Sequence, residues 1–141
     1  MQLASVYAAI ANGGTLWTPQ VAAAFASPDG KPVRSISPKA NGKVALSPTM
    51  LAFLHSALRG VVTDGTAKAA FAGFPLASYP VAGKTGTAEV FGKQTTSWFA
   101  SYAPANRPRY AVVVVVSQGG TGAETSAPAV RQIYDAIRSQ P

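Results

Sequence analysis

Cysteine is absent from this sequence of 141 residues, and histidine occurs only once. A chain without cysteine forms no disulfide and no thiolate metal site, and a lone histidine has no second imidazole with which to hold a metal ion. We therefore expect neither a metal nor a cofactor. The histidine, His55, lies between Leu54 and Leu58 on a predicted helical face, which favours a structural role over a catalytic one.

Charged residues are also scarce, and most of them are basic. Charged residues make up 12% of the sequence and hydrophobic residues 48%, while twelve Lys and Arg against five Asp and Glu give a net charge of +7. Such a composition is too apolar for a disordered chain. The basic residues are scattered singly rather than clustered among aromatic residues, so we do not expect nucleic-acid binding.

Long apolar runs are absent as well. No run approaches the ~18 residues that a membrane-spanning helix needs, and no signal peptide is visible. The sequence also shows no internal repeat and no linker long enough to mark a domain boundary. Its length is sufficient for one packed core.

The first part of the chain predicts a helix followed by short extended pieces. Apolar residues at helical spacing predict a helix that ends at Asn12-Gly13-Gly14. Residues 15–45 are predicted to form short extended segments, with turns at 28–30 and at Asn41-Gly42. The apolar face of the helix is formed by Leu3, Val6, Tyr7 and Ile10.

A second helix is predicted to begin at Ser47-Pro48, because serine is a favoured N-cap and proline suits the first helical position. Asp64-Gly65 should end this helix, and Thr66 is expected to cap a short helix through Ala70. The buried face is predicted to consist of Met50, Leu51, Leu54, Leu58 and Val61.

The second half of the chain predicts three antiparallel strands, over 81–90, 95–103 and 109–117. The third contains five consecutive valines, so we expect it to be the central strand, buried on both faces. Helices at both ends of the chain should cover this sheet, which gives an α+β fold.

A final helix should follow a glycine-rich loop over 118–125. Ser126 is predicted to cap this helix. Its buried face is predicted to consist of Val130, Ile133, Tyr134 and Ile137.

The most informative segment is Gly83-Lys84-Thr85-Gly86-Thr87-Ala88, on the first predicted strand of this half. Lysine supplies positive charge, threonine hydroxyls donate hydrogen bonds, and glycines let a ligand lie against the backbone. Such an edge suits a carboxylate. Taken singly, each residue has a plainer explanation: Lys84 as a solvated lysine, Thr85 and Thr87 as good strand formers, and Gly86 as the site of a bulge.

Together with its surroundings, this segment resembles the Lys-Thr-Gly signature of the penicillin-binding proteins and serine β-lactamases. The resemblance to class B penicillin-binding proteins covers nearly the whole chain. It is carried by segment 2–15, by Thr18-Pro19-Gln20-Val21, by Asp64-Gly65-Thr66-Ala67, by segment 97–104 and by strand 110–116.

The resemblance implies acyl transfer through a serine ester, from a D-Ala-D-Ala stem peptide to a neighbouring amine, with β-lactams as mimics of that peptide. It implies that Lys84 brings positive charge beside the nucleophile and helps to hold the substrate carboxylate, to which the hydroxyls of Thr85 and Thr87 donate. It further implies that Gly83 and Gly86 permit close approach, and that the Thr87 N–H forms half of an oxyanion hole. It also implies cell-wall synthesis proteins as partners and the extracytoplasmic face of the bacterial cytoplasmic membrane as the location. The net positive charge favours anionic wall material.

Two signatures of that family are missing, since no serine here precedes a lysine by three places or an asparagine by two. We therefore expect residues 1–141 to be the C-terminal part of one transpeptidase domain, with the nucleophile in an upstream segment. A D,D-carboxypeptidase, a β-lactamase, and a non-catalytic β-lactam sensor or scaffold domain remain alternatives.

Overall fold

The computed structural model describes residues 1–140. The first half of the chain forms helix α1 (Gln2–Ala11), four short strands and helix α2 (Pro48–Thr63). The short strands are β1 (Thr15–Trp17), β2 (Ala24–Ala26), β3 (Pro32–Ser35) and β4 (Ala40–Lys43). The second half forms β5 (Ala82–Ala88), β6 (Thr96–Ala103), β7 (Tyr110–Val116), a π-helical turn (Gly122–Ser126) and helix α3 (Ala127–Arg138). The predicted α+β class, with antiparallel sheets and covering helices, is confirmed.

The largest sheet within residues 1–140 has the order β5–β6–β7 and is antiparallel throughout. Its register is continuous from the pair Ala82 and Tyr102 to the pair Ala88 and Thr96, and β6 is paired along its other side with β7. The expectation that the five-valine strand would be central was wrong. β6 is central and mostly buried, whereas β7 lies at the edge with Val115 45% exposed. A run of valines reflects β propensity, but the path of the chain decides which strand has two neighbours.

Each face of this sheet carries its own apolar core. The core on the α1 face is built from Tyr7, Ala82, Ala100, Tyr102 and Ala105. The core on the α3 face includes Val62, Phe71, Phe99, Val130 and Tyr134. Helix α2 lies beside β5 and contributes to both, since Leu58 packs against the first core and Val61 and Val62 belong to the second.

Residues 15–43 form two small antiparallel ribbons, in which β1 pairs with β4 and β2 pairs with β3. The predicted turn at 28–30 is confirmed, with the Gly30 N–H donating to the Ser27 carbonyl at 2.8 Å. The predicted turn at Asn41-Gly42 was wrong, because both residues lie within β4. The register shifts there, and Gly42 takes a φ of +109°, so the glycine serves an irregularity in the ribbon rather than a turn.

Helix α2 begins as predicted, with Ser47 Oγ accepting a hydrogen bond from the Met50 N–H at 3.2 Å. Its predicted buried face was only partly right, because only the carboxyl-terminal half of α2 packs against the two cores. Met50 is 52% exposed and Val62 is the buried residue, while half-buried positions are Leu51, Leu54, Leu58 and Val61.

The short helix expected from Thr66 to Ala70 is replaced by successive turns. The N–H groups of Gly65 and Ala67 donate back to the carbonyls of Gly60 and Val61, at 2.8 and 2.9 Å. These bonds tie the segment to the end of α2, so it does not start a new helix.

The approach to α3 also differs from expectation. The loop ends at Thr121, which caps the π-helical turn by accepting a hydrogen bond from the Glu124 N–H at 3.3 Å. Ser126 makes no side-chain cap, because its hydroxyl is buried against Ser97. On α3, Val130 and Tyr134 are buried as predicted, Ile137 is half-buried, and Ile133 is 37% exposed.

Candidate functional site

The predicted site residues lie on β5, which is an edge strand of the sheet formed within residues 1–140. Side chains alternate between the faces of a strand, so Lys84 and Gly86 share one face and Thr85 and Thr87 share the other. Lys84 and Thr87 are exposed, and Thr85 and Gly86 are half-buried. The edge of β5 therefore presents a cation and two hydroxyls within four residues.

Lys84 folds back along the strand towards its neighbour. Its Nζ donates to the Thr85 carbonyl oxygen at 2.8 Å and lies 3.4 Å from Thr85 Oγ1. An ammonium group beside a hydroxyl is a good arrangement for a carboxylate, because both groups can donate to the same anion. The structure brings these two predicted residues together.

Thr87 is held by a residue that the sequence assigned only to a loop. Its Oγ1 accepts a hydrogen bond from the Gly122 N–H at 3.3 Å. Gly122 is pressed against the strand, because a Cβ at this position would lie 2.5 Å from the Gly86 carbonyl oxygen and 2.9 Å from the Gly86 nitrogen. Since Gly122 supplies the donor, the Thr87 hydroxyl keeps its proton free to donate to a ligand.

The two glycines of the motif serve different purposes. Gly83 is buried, and a Cβ there would lie 2.8 Å from the Ala100 carbonyl oxygen, so it allows β5 to pack on β6 rather than a ligand to approach. Gly86 lies opposite Trp98 in unbroken register, which excludes a bulge at this position. A Cβ on Gly86 would come within 3.2 Å of the Trp98 Cβ.

Thr66 joins the site from outside the strand. Its Oγ1 lies 2.6 Å from Thr85 Oγ1, and either hydroxyl can be the donor. The sequence indicated Thr66 as a helix cap and as part of the segment Asp64-Gly65-Thr66-Ala67, but did not assign it to the site. No local pattern could have revealed the contact, because the two threonines are 19 positions apart and belong to different elements.

A buried hydroxyl network lies on the same face of the sheet as Thr85 and Thr87. Ser97 Oγ, on the residue opposite Thr87, donates to the Thr121 carbonyl at 2.8 Å and accepts from the Ser126 N–H at 3.1 Å. Farther along β6, Ser101 Oγ lies 3.0 Å from the Tyr134 hydroxyl. Burial raises the pKa of Tyr134 well above its usual range, so this phenol stays protonated and able to donate.

His55 makes a contact of the kind expected of a structural histidine. Its Nδ1 lies 2.7 Å from the Tyr102 hydroxyl, and burial raises the pKa of that tyrosine to about 12. A cleft of about 470 Å³ opens beside His55 along α2, and it is lined by Arg59 and Asp64 but by no residue of β5. The cleft is therefore separate from the Lys84 edge. Within residues 1–140, no group of three or more His, Cys, Asp or Glu is placed to hold a metal ion.

Known proteins are similar to this chain in both sequence and fold. The model of the penicillin-binding protein transpeptidase domain matches residues 1–135, and the chain belongs to that family. It is 38% identical over 143 aligned positions to the stage V sporulation protein D of Bacillus subtilis, covering 94% of this chain and 21% of that protein.

Solved structures give the same result. The D,D-transpeptidase domain of a peptidoglycan glycosyltransferase from Eggerthella lenta aligns with a TM-score of 0.78 at 36% identity, over 96% of this chain and 31% of that one. Penicillin-binding protein A from M. tuberculosis, solved as a ceftriaxone acyl-enzyme complex, aligns with a TM-score of 0.81 at 28% identity, over 94% and 31%.

The chain therefore spans about a fifth of the Bacillus subtilis protein and about a third of each of these two solved chains. Within residues 1–140, none of the helices combines the length and the apolar character needed to cross a membrane.

Proposed function

We propose that this chain forms the substrate-recognition side of a peptidoglycan D,D-transpeptidase site. The observation that carries the proposal is the position of the Lys84 ammonium beside the Thr85 hydroxyl on the edge of β5, in a chain of this family. The substrate is a stem peptide that ends in D-Ala-D-Ala. β-Lactams compete with it, and the acyl-enzyme complex of the similar mycobacterial protein supports this part of the proposal.

Each residue of the edge has a role in this proposal. Lys84 brings positive charge beside the nucleophile and attracts the substrate carboxylate. The hydroxyls of Thr85 and Thr87 donate to that carboxylate, and Gly86 leaves room for the peptide along the strand. The Thr87 N–H supplies half of an oxyanion hole, and removal of one such donor typically costs ~10²–10³ in rate.

The reaction proceeds in two steps, acylation of the serine and transfer of the acyl group to an amine. A serine hydroxyl attacks the carbonyl of the penultimate D-Ala, the peptide C–N bond breaks, and the terminal D-Ala leaves with the proton as a free amine. The amine of a neighbouring stem peptide then attacks the acyl ester, an amide C–N bond forms as the ester C–O bond breaks, and a proton from that amine passes to the serine oxygen. With a β-lactam, the amine released in the first step stays tethered to the acyl group.

The serine of this mechanism is proposed to lie in an upstream segment of the same domain. No Ser-x-x-Lys is present in residues 1–141. Within the described residues the outer edge of β7 pairs with no strand, and its valines are exposed or half-buried. An apolar strand edge of this kind is a suitable surface for the remainder of the domain to cover.

The proposed location is the extracytoplasmic face of the bacterial cytoplasmic membrane, where peptidoglycan is assembled. The partners there are the stem peptide and other proteins of cell-wall synthesis. A net charge of +7 suits a protein that works among anionic wall polymers.

The test uses the complete polypeptide, in which the proposed upstream segment precedes this chain. We expect a fluorescent penicillin to give a stoichiometric band that survives a denaturing gel, and the 141-residue chain alone to give none. Incubation with a D-Ala-D-Ala stem peptide and an acceptor amine should yield the cross-linked product by mass spectrometry. Hydrolysed peptide alone would indicate a carboxypeptidase, rapid loss of the penicilloyl group a β-lactamase, and acylation without any peptide product a sensor.

A further inference from the structure

Thr66 is the one residue outside β5 whose side chain, within residues 1–140, hydrogen-bonds to the Thr85 hydroxyl. The two oxygens are 2.6 Å apart, a short separation for a hydroxyl pair. The described structure gives the Thr66 side chain this hydrogen bond and no capping bond within its own turn. The Thr66 hydroxyl therefore bonds to the Lys84-Thr85-Gly86 strand and not to its own turn.

The position of Thr66 is fixed by the end of α2. Gly65 donates to the Gly60 carbonyl at 2.8 Å, and a Cβ on Gly65 would lie 2.9 Å from the Val61 Cα, so the turn packs closely against the end of the helix. On the other side, Ala67 is fully buried in the core of the α3 face. Thr66 therefore stands between two anchored neighbours.

Counting protons shows what Thr66 does for Thr85. A threonine hydroxyl has one proton to donate and two lone pairs with which to accept. At Thr85, one lone pair faces the Lys84 ammonium, which can only donate, at 3.4 Å. If Thr66 donates to the other lone pair, both lone pairs are occupied and the Thr85 proton can only point outwards, towards an incoming anion.

We infer that Thr66 is a positioning residue, whose hydroxyl donates to Thr85 in the ligand-bound state and so commits Thr85 to donating to the substrate carboxylate. The inference rests on the proposed function, because it assumes that Thr85 contacts that carboxylate. Thr66 touches no reacting atom and acts only through its neighbour. Its effect should consequently depend on two things, the carboxylate of the ligand and the hydroxyl of Thr85.

The experiment measures second-order acylation of the complete polypeptide by a penicillin and by the methyl ester of the same penicillin. Thr66→Val removes the hydroxyl and keeps the branched shape, and Thr66→Ala is a second hydroxyl-free variant should valine not be accommodated. We expect either to slow acylation by the free acid about fivefold, the size of one hydrogen bond, and to leave acylation by the ester unchanged. Thr66→Ser keeps the hydroxyl and should stay within about twofold of wild type.

Two further variants complete the test. Thr63→Val removes a hydroxyl that bonds to Asp64 and the Arg59 carbonyl at the end of α2, away from β5, and serves as the matched control with no expected effect on either ligand. The double variant Thr66→Val with Thr85→Val should acylate no more slowly than Thr85→Val alone, because Thr66 has nothing left to orient.

The inference is overturned if Thr66→Val matches wild type with the free acid, slows both ligands equally, or adds fully to Thr85→Val. Failure of the proposed function has a different signature. In that case Thr85→Val and Lys84→Ala would themselves leave acylation by the free acid unchanged.

Discussion

Strand β5 and the ribbon of β2 and β3 are both short antiparallel elements, but they differ in what surrounds them. β5 is paired with β6, flanked by α2, and connected to the cores on both faces of the sheet. Every residue of β2 and β3 is exposed, including Phe25 at 57% and Val33 at 70%. An isolated two-stranded hairpin is only marginally stable in water. Strand pairing alone should therefore stabilise the ribbon only weakly, whereas β5 is also supported by packing from other elements.

The largest expected difference concerns one phenylalanine from each region. Phe99 on β6 is fully buried and its ring lies 5.9 Å from that of Phe71, so Phe99→Ala should lower the free energy of unfolding by ~3–5 kcal/mol. Phe25→Ala in the ribbon should cost less than ~1 kcal/mol, because that ring is mostly in solvent already. Denaturant unfolding of the complete polypeptide measures both. Equal losses would show that the ribbon is packed against something and that the contrast is false.

One lysine from β5 and one from the ribbon test whether activity also depends on the region of the molecule. Lys84→Ala should lower the second-order rate constant for acylation by penicillin ~10²-fold, by analogy with other preorganised electrostatic contacts. Lys84→Arg should retain part of the activity, because the charge remains but the planar head is bulkier. Lys31 in the ribbon is the control: its side chain is 83% exposed and pairs with Asp29 at 3.1 Å, so Lys31→Ala should change nothing.

Melting temperatures of the lysine variants distinguish a loss of acylation from a loss of stability. Lys84 is exposed at the strand edge, so its removal should leave the melting temperature close to that of wild type. Wild-type acylation by Lys84→Ala would mean that the motif has no function in this protein.

Two serines give the smallest expected difference. Ser126→Ala removes a fully buried hydroxyl 2.7 Å from Ser97 Oγ, but Ser97 keeps its bonds to Thr121 and to the Ser126 N–H. The loss should therefore be only about 1 kcal/mol in the free energy of unfolding. Ser27→Ala removes an exposed hydroxyl that bonds to Asp29 in the ribbon, and should stay within about 0.5 kcal/mol. If Ser126→Ala were as silent as Ser27→Ala, the buried network would not stabilise the sheet.

Features that depend on neighbouring residues in the sequence were predicted well. The Ser47-Pro48 start of α2, the end of α1 before Gly13 and the strands β5, β6 and β7 follow from local spacing and capping. The location of Lys84 and Thr85 on one short strand was predicted in the same way.

Features that depend on distant contacts were not predicted. The valines of β7 reveal a strand but not its place in the sheet order. Asn41-Gly42 has turn composition, yet the pairing of β4 with β1 places it inside a strand. Thr66 and Gly122 reach the site from 19 and 35 positions away. The segment around Thr66 carried part of the family resemblance, but its spacing does not indicate a contact with Thr85.

Helix α2 and the π-helical turn both pack against β5. α2 runs along β5 and extends into the cores of both faces, while Gly122 lies against Gly86 without space for a methyl group. A strand held in this way cannot shift towards an arriving ligand without disturbing two cores at once. Its donors must already be in position before binding, so an approaching peptide loses its own conformational freedom but imposes little reorganisation on the protein. Selectivity should then come from how well a ligand fits a rigid edge, and flexible ligands should bind more weakly than ring-constrained ones with the same carboxylate.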